Sequence, residues 1–202
     1  MAAQRRRKSS APRPLTRSSR PAPSRAPTSV VRRRRDLLAD VARCLVGARS
    51  IGKTLAHVAR ACLPELAELC IVDVMQRNGN IQRLEAVHVD PSRLERMREV
   101  KRKYPPLASN PITDVFRTGR SVLTPVVNDD FLARMAADPV HLMMLRRHGP
   151  RSTMSVAVVV GGRTVAVLTF TITDSTRRYG RADLQLAEEI AGMCSAALAA
   201  AI

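Results

Sequence analysis

Two dipeptides that favour tight hairpin turns, Asn78-Gly79 and Gly161-Gly162, each lie between apolar segments with strand-like patterns. Both central residues of a type I′ turn need positive φ, which Asn and Gly adopt readily. The first turn joins segments 66–75 and 81–89, and the second joins segments 152–160 and 163–173. Because hairpins pair antiparallel strands, the chain is predicted to contain an antiparallel sheet.

Helical patterns surround these hairpins. Apolar residues recur at helical spacing over 36–46, after Ser50 and over 181–202. Three Asp-Pro or Asn-Pro pairs supply an N-cap followed by proline at the first helical position, which predicts helices at 91–104, 111–118 and 139–148. A short strand at 121–126 and a helical segment at 129–137 lie between them. The predicted fold is α+β, with a central antiparallel sheet of five to six strands and helices on both faces.

The first 35 residues differ in composition from the rest of the chain. They carry twelve Lys and Arg residues and no acid, so only +5 of the net charge of +17 belongs to residues 36–202. This Arg/Pro/Ser-rich tail is predicted to be disordered, because it cannot bury enough apolar surface to offset its ordering entropy. It is also a candidate contact for nucleic acid or an acidic partner. The chain has no Trp, two Tyr and three Phe, which argues against an aromatic platform for single-stranded nucleic acid.

Several segments, in their order and spacing, resemble a GAF domain of the type found in bacterial signal transduction. The resemblance covers about residues 36–202 and is carried by LAELCIVDVM (66–75), AVHVDP (86–91), VFRTGR (115–120), DPVHLMMLRRHGPRS (138–152), RTVAVLT (163–169) and ADLQLAEEIA (182–191). It implies a non-enzymatic, cytoplasmic regulatory module that senses a small molecule or dimerises. A homodimer, or a signalling kinase or phosphatase, would be its partner. We expect the module to act without an output domain of its own.

The resemblance also implies a ligand pocket between the sheet and the helices of segment 90–150. The polar residues predicted to project into it are His88, Tyr104, Thr118, His141, Arg151 and Ser152. Two features of the family are missing, namely an NKxxF…DE-like run for cyclic nucleotides and a Cys-His pair for covalent bilin attachment. The sequence therefore does not identify the ligand.

The terminal helices carry apolar stripes with two interpretations. They either cover the sheet of one subunit or form a helical bundle between two subunits. The dimer hypothesis uses Leu37, Val41, Leu45, Leu184, Ile190, Ala197 and Leu198.

One motif favours a different class of protein. The segment GARSIGKT (47–54) matches the phosphate-binding pattern GxxxxGK[ST], and the alternative hypothesis is a nucleotide-binding enzyme. Its candidate phosphate-site residues are Gly47, Gly52, Lys53, Thr54 and Asp73. A P-loop follows a strand in a parallel sheet, whereas this segment follows a helical pattern and precedes a hairpin, so the first hypothesis is favoured.

No metal or membrane signal accompanies these patterns. The four cysteines lie far apart in apolar contexts without a CxxC pair, which predicts buried reduced thiols and no zinc site. No apolar run reaches the roughly 20 residues of a membrane-spanning helix.

Overall fold

The computed structural model describes residues 26–95, 103–104 and 110–201. In chain order the elements are α1 (Ala26–Leu45), α2 (Ile51–Ala61), β1 (Leu69–Met75), β2 (Ile81–His88), α3 (Pro111–Thr118), β3 (Val122–Thr124), α4 (Asp129–Met135), α5 (Pro139–His148), β4 (Ser152–Val160), β5 (Arg163–Ile172) and α6 (Arg181–Ala199). Residues 91–95 and Lys103 are also helical, and the middle of the helix predicted at 91–104 lies outside the described residues.

The five strands form one antiparallel sheet in the order β2-β1-β5-β4-β3. Both predicted hairpins are present, and Gly79, Gly161 and Gly162 all have positive φ. Asn78 does not, so the type I′ turn predicted at Asn78-Gly79 is wrong although the hairpin itself is present. The hairpins β1–β2 and β4–β5 are joined edge to edge by the pairing of β1 with β5. The predicted α+β fold with five strands is therefore confirmed.

One face of the sheet packs against α1, α2 and α6 and forms the main apolar core. Alternate residues of β4 and β5, including Met154, Val156, Leu168 and Phe170, are fully buried on this side. The opposite face carries α3, whose Ile112, Val115 and Phe116 pack with Val167 of β5. Because side chains alternate across a strand, each of these strands contributes to both layers.

The helix starts follow the predicted chemistry. The side chains of Asn110 and Asp138 accept hydrogen bonds from the backbone N–H groups of Ile112 and His141, and Pro follows each of them. The helices end at Gly119 and Gly149 in the left-handed conformation, with φ of 67° and 65°. These caps fix where the short helices above the second face begin and end.

Three boundaries differ from the sequence prediction. The strand expected from residue 66 begins at Leu69, the strand expected at 121–126 covers only Val122–Thr124, and α1 begins at Ala26. Residues 26–35 were predicted to belong to a disordered tail, but they are helical. Arg34 of this segment pairs with Glu189 of α6 at 2.7 Å. Residues 1–25 lie outside the described part of the chain.

The apolar stripe of the terminal helices is used within the subunit. Leu37, Val41, Ile190 and Leu198 are buried in the main core, and Leu45 and Leu184 pack against it. Ala197 is half-buried. Leu37, Val41, Ile190 and Leu198 thus cover the sheet of their own subunit, whereas a dimer contact through the half-buried Leu45, Leu184 and Ala197 stays a prediction.

We predict that the substitution of alanine for glycine has opposite effects on folding stability at two positions. Gly149→Ala should destabilise the fold by about 1–2 kcal/mol, since an L-residue pays this cost in the left-handed conformation. Gly192→Ala should stabilise it by up to about 1 kcal/mol, because this glycine lies inside α6 with open space around its Cα. Urea denaturation followed by circular dichroism measures both. Equal effects at the two positions would contradict the assigned backbone conformations.

Candidate ligand-binding site

A cavity of about 160 Å³ lies between the second face of the sheet and the helices α3, α4 and α5. Strand residues form its floor, and helix and loop residues form its walls. The lining residues are Leu69, Ile71, Arg83, Tyr104, Asn110, Pro111, Ile112, Val122, Thr124, Val127, Phe131, Leu132, Met135, His141, Leu145, His148, Pro150, Thr153, Ser155, Thr169, Thr171 and Thr173. The α4 and α5 side is mainly apolar, whereas the β4 and β5 side is mainly polar.

The polar floor consists of cross-strand hydroxyl pairs. Thr153 lies opposite Thr171 and Ser155 opposite Thr169, with oxygen–oxygen distances of 3.3 Å and 2.9 Å. These hydroxyls bond to one another in the absence of any ligand. A hydroxyl both donates and accepts, so each pair can also bond to a polar group above it.

A buried ion pair lies at the β1–β2 side of the sheet. Asp73 is completely buried, and its carboxylate accepts hydrogen bonds from Arg83 Nε at 3.0 Å and Nη2 at 3.4 Å. Arg83 lines the cavity, while Asp73 lies behind it and does not. Two of the five guanidinium N–H donors are thereby used, and no other described residue accepts from Arg83.

His141 and Tyr104 form the opposite polar wall. Their rings stack at 4.1 Å with an interplanar angle of 5°, and both groups bond to Asp138 through the His141 backbone N–H and the Tyr104 hydroxyl. Burial lowers the pKa of His141; Asp138 opposes this effect, and the charge of Arg83 adds to it. His141 Nδ1 accepts a hydrogen bond from Ala137 N–H at 3.1 Å. The neutral ring therefore carries its proton on Nε2, to which no described residue offers an acceptor.

A second network closes the end of the cavity at Thr173. His88 Nε2 lies 3.2 Å from the Thr173 hydroxyl, and His88 Nδ1 accepts from Asp90 N–H at 2.8 Å. Glu68 accepts from the N–H groups of Thr173, Asp174 and Ser175. Burial opposes ionisation of Glu68, but these hydrogen bonds outweigh it and lower its pKa to about 2. The network fixes the segment after β5 to the start of β1.

This network resembles a catalytic triad only in its residue types. Because Nδ1 of His88 accepts a backbone hydrogen bond, Nε2 carries the proton of the neutral ring and donates it to Thr173. Burial and the charge of Arg93 lower the pKa of His88, which keeps the ring neutral. A ring in this tautomer cannot take a proton from the Thr173 hydroxyl, so the arrangement is structural.

Comparison with known proteins identifies the architecture. A sequence model of the GAF domain matches residues 48–199, about three quarters of the chain. The chain belongs to the GAF domain family. GAF domains are regulatory modules that sense signals, and members of the family bind small ligands and often dimerise. A comparison with characterised proteins by sequence finds no match.

Solved GAF domains show the same fold at low sequence identity. The GAF domain of an Acinetobacter phosphoenolpyruvate-protein phosphotransferase is 15% identical over 82% of this chain and 92% of that one, with a TM-score of 0.59. The corresponding domain from Coxiella burnetii is 12% identical over 85% and 94%, with a TM-score of 0.60. The A. aeolicus nlh2 GAF domain in an inactive state is 12% identical over 84% and 97%, with a TM-score of 0.58.

The structure brings two of the six predicted pocket residues of this GAF domain, Tyr104 and His141, into the cavity. His88 lies just outside it, bonded to the lining residue Thr173. The other three were wrongly placed in the pocket. Thr118 and Arg151 are exposed, and the buried Ser152 hydroxyl accepts from Tyr179 N–H on the side of the terminal helices.

Sequence reasoning missed the polar floor and Arg83. The floor had a readable signal, because Thr153 and Ser155 of β4 and Thr169 and Thr171 of β5 alternate with apolar residues. The sequence signal for Arg83 was weaker. It lies opposite Asp73, the single charge within the apolar strand LCIVDVM, but a bulge after Val72 shifts the register of this hairpin.

The structure contradicts the nucleotide-binding hypothesis for segment 47–54. The segment follows a helix, Gly47 has a φ of 70°, and Thr54 lies on the buried side of α2. A Cβ at Gly52 would lie 2.9 Å from Leu84 Cδ2, so the packing of α2 on β2 accounts for this glycine. Lys53 is exposed on α2, whereas Asp73 belongs to the opposite face of the sheet.

The four cysteines are free, as predicted, and converge on the main core. Burial raises the pKa of Cys62 and Cys70, and raises that of Cys194 to about 12. These thiols therefore stay protonated and unreactive at neutral pH. Within residues 26–95, 103–104 and 110–201, no cluster of three or more His, Cys, Asp or Glu side chains is placed to hold a metal ion. No helix in this part of the chain is both long and apolar enough to cross a membrane.

We predict that removing one partner of the buried Asp73–Arg83 ion pair strongly destabilises the fold. Arg83→Gln leaves the carboxylate of Asp73 buried without its cation and should destabilise the GAF domain by about 3–5 kcal/mol. The double variant Asp73→Asn/Arg83→Gln keeps a neutral hydrogen-bonding pair and should recover most of this loss. Urea denaturation of the two variants measures the difference. If the double variant were as unstable as Arg83→Gln, the ion-pair explanation would be wrong.

We also predict that the stability of the fold falls as the pH decreases below about 6.5. The folded-state pKa values of His88 and His141 are lowered, so the unfolded chain binds protons that the folded chain resists. The contribution of the two neutral histidines to stability is complete above about pH 6.5. It is lost as the pH falls through the folded-state pKa values of His88 and His141. Each histidine contributes a slope of at most about 1.4 kcal/mol per pH unit. Glu68 stays ionised throughout this range.

Urea denaturation at several pH values tests this dependence. His88→Gln retains a neutral donor and acceptor and should flatten the profile. His57→Gln removes an exposed imidazole from α2 and serves as the matched control, with the wild-type slope expected. An unchanged slope in His88→Gln would show that His88 does not contribute.

Proposed function

We propose that this GAF domain is a regulatory module that senses a small molecule bound in the cavity between the sheet and α3–α5. The carrying observation is the joint presence of a largely apolar cavity and several polar side chains that line it. Such a combination is typical of ligand sites, in which apolar surface supplies affinity and a few polar groups fix orientation. The cavity is lined by residues of all five strands and of the helices α3, α4 and α5.

The size of the cavity supports a small ligand. A volume of about 160 Å³ resembles the roughly 150 Å³ of an engineered cavity that binds benzene, and falls below the roughly 300–1,000 Å³ of sites for drug-sized ligands. Tetrapyrroles and nucleotides are much larger than benzene. The lack of a Cys-His pair agrees with this conclusion for covalent bilins. We therefore propose a metabolite of about one ring or a short chain.

The sheet offers a direct route from the cavity to the terminal helices. Thr153 and Ser155 line the cavity, whereas Met154 and Val156, which alternate with them along β4, are buried in the main core. Ser195 of α6 accepts a hydrogen bond from Val159 N–H at 2.9 Å, which ties this helix to the same strand. A ligand that moves β4 therefore shifts the surface on which α6 packs. We propose that binding favours one of two arrangements of the terminal helices.

The module is proposed to act by binding and not by catalysis. Its one triad-like network holds His88 in the tautomer that cannot act as a base toward Thr173. A homodimer, a kinase or phosphatase partner, a cytoplasmic location and a role for the basic residues 1–35 stay predictions. A dimer would have to use surface other than the buried stripe, and Val30 and Val31 of α1 are exposed apolar residues.

A pair of variants at one cavity residue tests this function. Ser155→Leu adds side-chain volume at the cavity floor, whereas Ser155→Ala loses the same hydroxyl and leaves the cavity open. In a thermal-shift panel of small metabolites, a ligand at one hundred times its Kd should stabilise the wild-type chain by about 2.7 kcal/mol. Ser155→Ala should respond and Ser155→Leu should not. Equal responses of the two variants would show that the ligand binds elsewhere.

A further inference from the structure

The charges around the cavity are asymmetric. Arg83 is the only described lining residue with a permanent charge, and none of the described lining residues is acidic. The nearest compensating carboxylate, Asp73, lies behind the guanidinium and is fully buried. The cavity thus meets the free N–H groups of a guanidinium, but not the carboxylate that neutralises it.

A second donor lies within electrostatic reach of the first. Arg83 and His141 both line the cavity, and the charge of Arg83 helps to lower the pKa of His141. His141 Nδ1 already accepts from Ala137, and the stack on Tyr104 fixes the plane of the ring. Its Nε2–H is therefore a pre-oriented donor without an acceptor among the described residues.

The remainder of the cavity fits an apolar body. Phe131, Leu132 and Met135 of α4 and Leu145 of α5 form the wall on the helix side. This surface offers no charged group to a second ionic end of a ligand. The volume of about 160 Å³ leaves room for a single ring or a short chain beside an acid group.

On the basis of the proposed sensory function, we infer that the ligand is a small monocarboxylic acid. Its carboxylate accepts hydrogen bonds from Arg83 and from His141 Nε2, and its apolar body lies against α4 and α5. A guanidinium fork matches the geometry of a carboxylate, and one cation with a neutral imidazole suits a single negative charge. The paired hydroxyls of β4 and β5 provide further donors beneath the ligand.

Matched probes test the charge requirement on the full chain. We would titrate the protein with benzoate, phenylacetate and hexanoate, and with the neutral counterparts benzamide, phenylacetamide and hexanamide. Chemical-shift changes in ¹H–¹⁵N spectra give the dissociation constants. Each carboxylate should bind at least tenfold more tightly than its amide, because charge-assisted hydrogen bonds to an anion are about twice as strong as neutral ones.

Variants assign the effect to the proposed donors. Asp73→Asn/Arg83→Gln removes both charges while keeping a hydrogen-bonding pair, and it should abolish the preference for carboxylates. His141→Phe keeps the ring stack but lacks Nε2–H, and it should weaken carboxylate binding more than amide binding. Circular dichroism and urea denaturation confirm that each variant is folded before titration.

The possible results separate this inference from the proposed function. If amides bind as tightly as carboxylates, or if the double variant keeps the preference, the monocarboxylate inference is wrong and the sensory function stands. If neither series binds the wild-type chain, or if Ser155→Leu binds both like the wild type, the cavity is not the ligand site and both conclusions fail.

Discussion

The two-residue alternation of β4 and β5 is the constraint on which the rest of the structure depends. Within each strand, one set of side chains builds the core beneath α1, α2 and α6, and the other set builds the floor of the cavity. Phe170 belongs to the first set, while its neighbours Thr169 and Thr171 belong to the second. A shift of register by one residue would bury the hydroxyls in the core and expose the apolar set. The same pattern therefore specifies both stability and the site.

The cavity also depends on charge that is buried at a cost. Moving a carboxylate and a guanidinium out of water is unfavourable unless the two groups satisfy each other. Asp73 and Arg83 do so across the first hairpin, at the bulge where the register of β1 and β2 shifts. A neutral pair would hold the strands equally well. What the ion pair adds is a cation whose free donors line the cavity.

Local chemistry made much of the fold predictable from sequence. Asn78-Gly79 and Gly161-Gly162 defined the hairpins, and the caps Asn110 and Asp138 defined two helix starts, because each depends on a few adjacent residues. The predicted element boundaries were wrong where contacts between distant residues determine the backbone conformation. Residues 66–68 have a strand-like composition, yet Glu68 binds the segment after β5 and Leu66 accepts from Tyr179 Oη.

The candidate site was less predictable, because a strand residue lines the cavity only if its side chain lies on the second face of the sheet. Ser152 and Thr153 are adjacent and chemically alike, but only Thr153 lines the cavity. Choosing between them requires the register of β4 against β5, which depends on the pairing of distant residues. Tyr104 and His141 were predictable because the family resemblance placed the pocket between the sheet and segment 90–150. Arg83 was not, since its importance comes from the burial of Asp73 on the neighbouring strand.

These contacts also give the proposed ligand a route from the cavity to the terminal helices. Thr173 lines the cavity, and its backbone N–H is held by Glu68 at the start of β1. A few residues later, Tyr179 donates its buried hydroxyl to Leu66 O and its N–H to Ser152 just before α6 begins. The entry to α6 is therefore attached to both hairpins. Under the proposed sensory function, a ligand that altered the spacing of β1, β4 and β5 would act on the position of this helix through these hydrogen bonds.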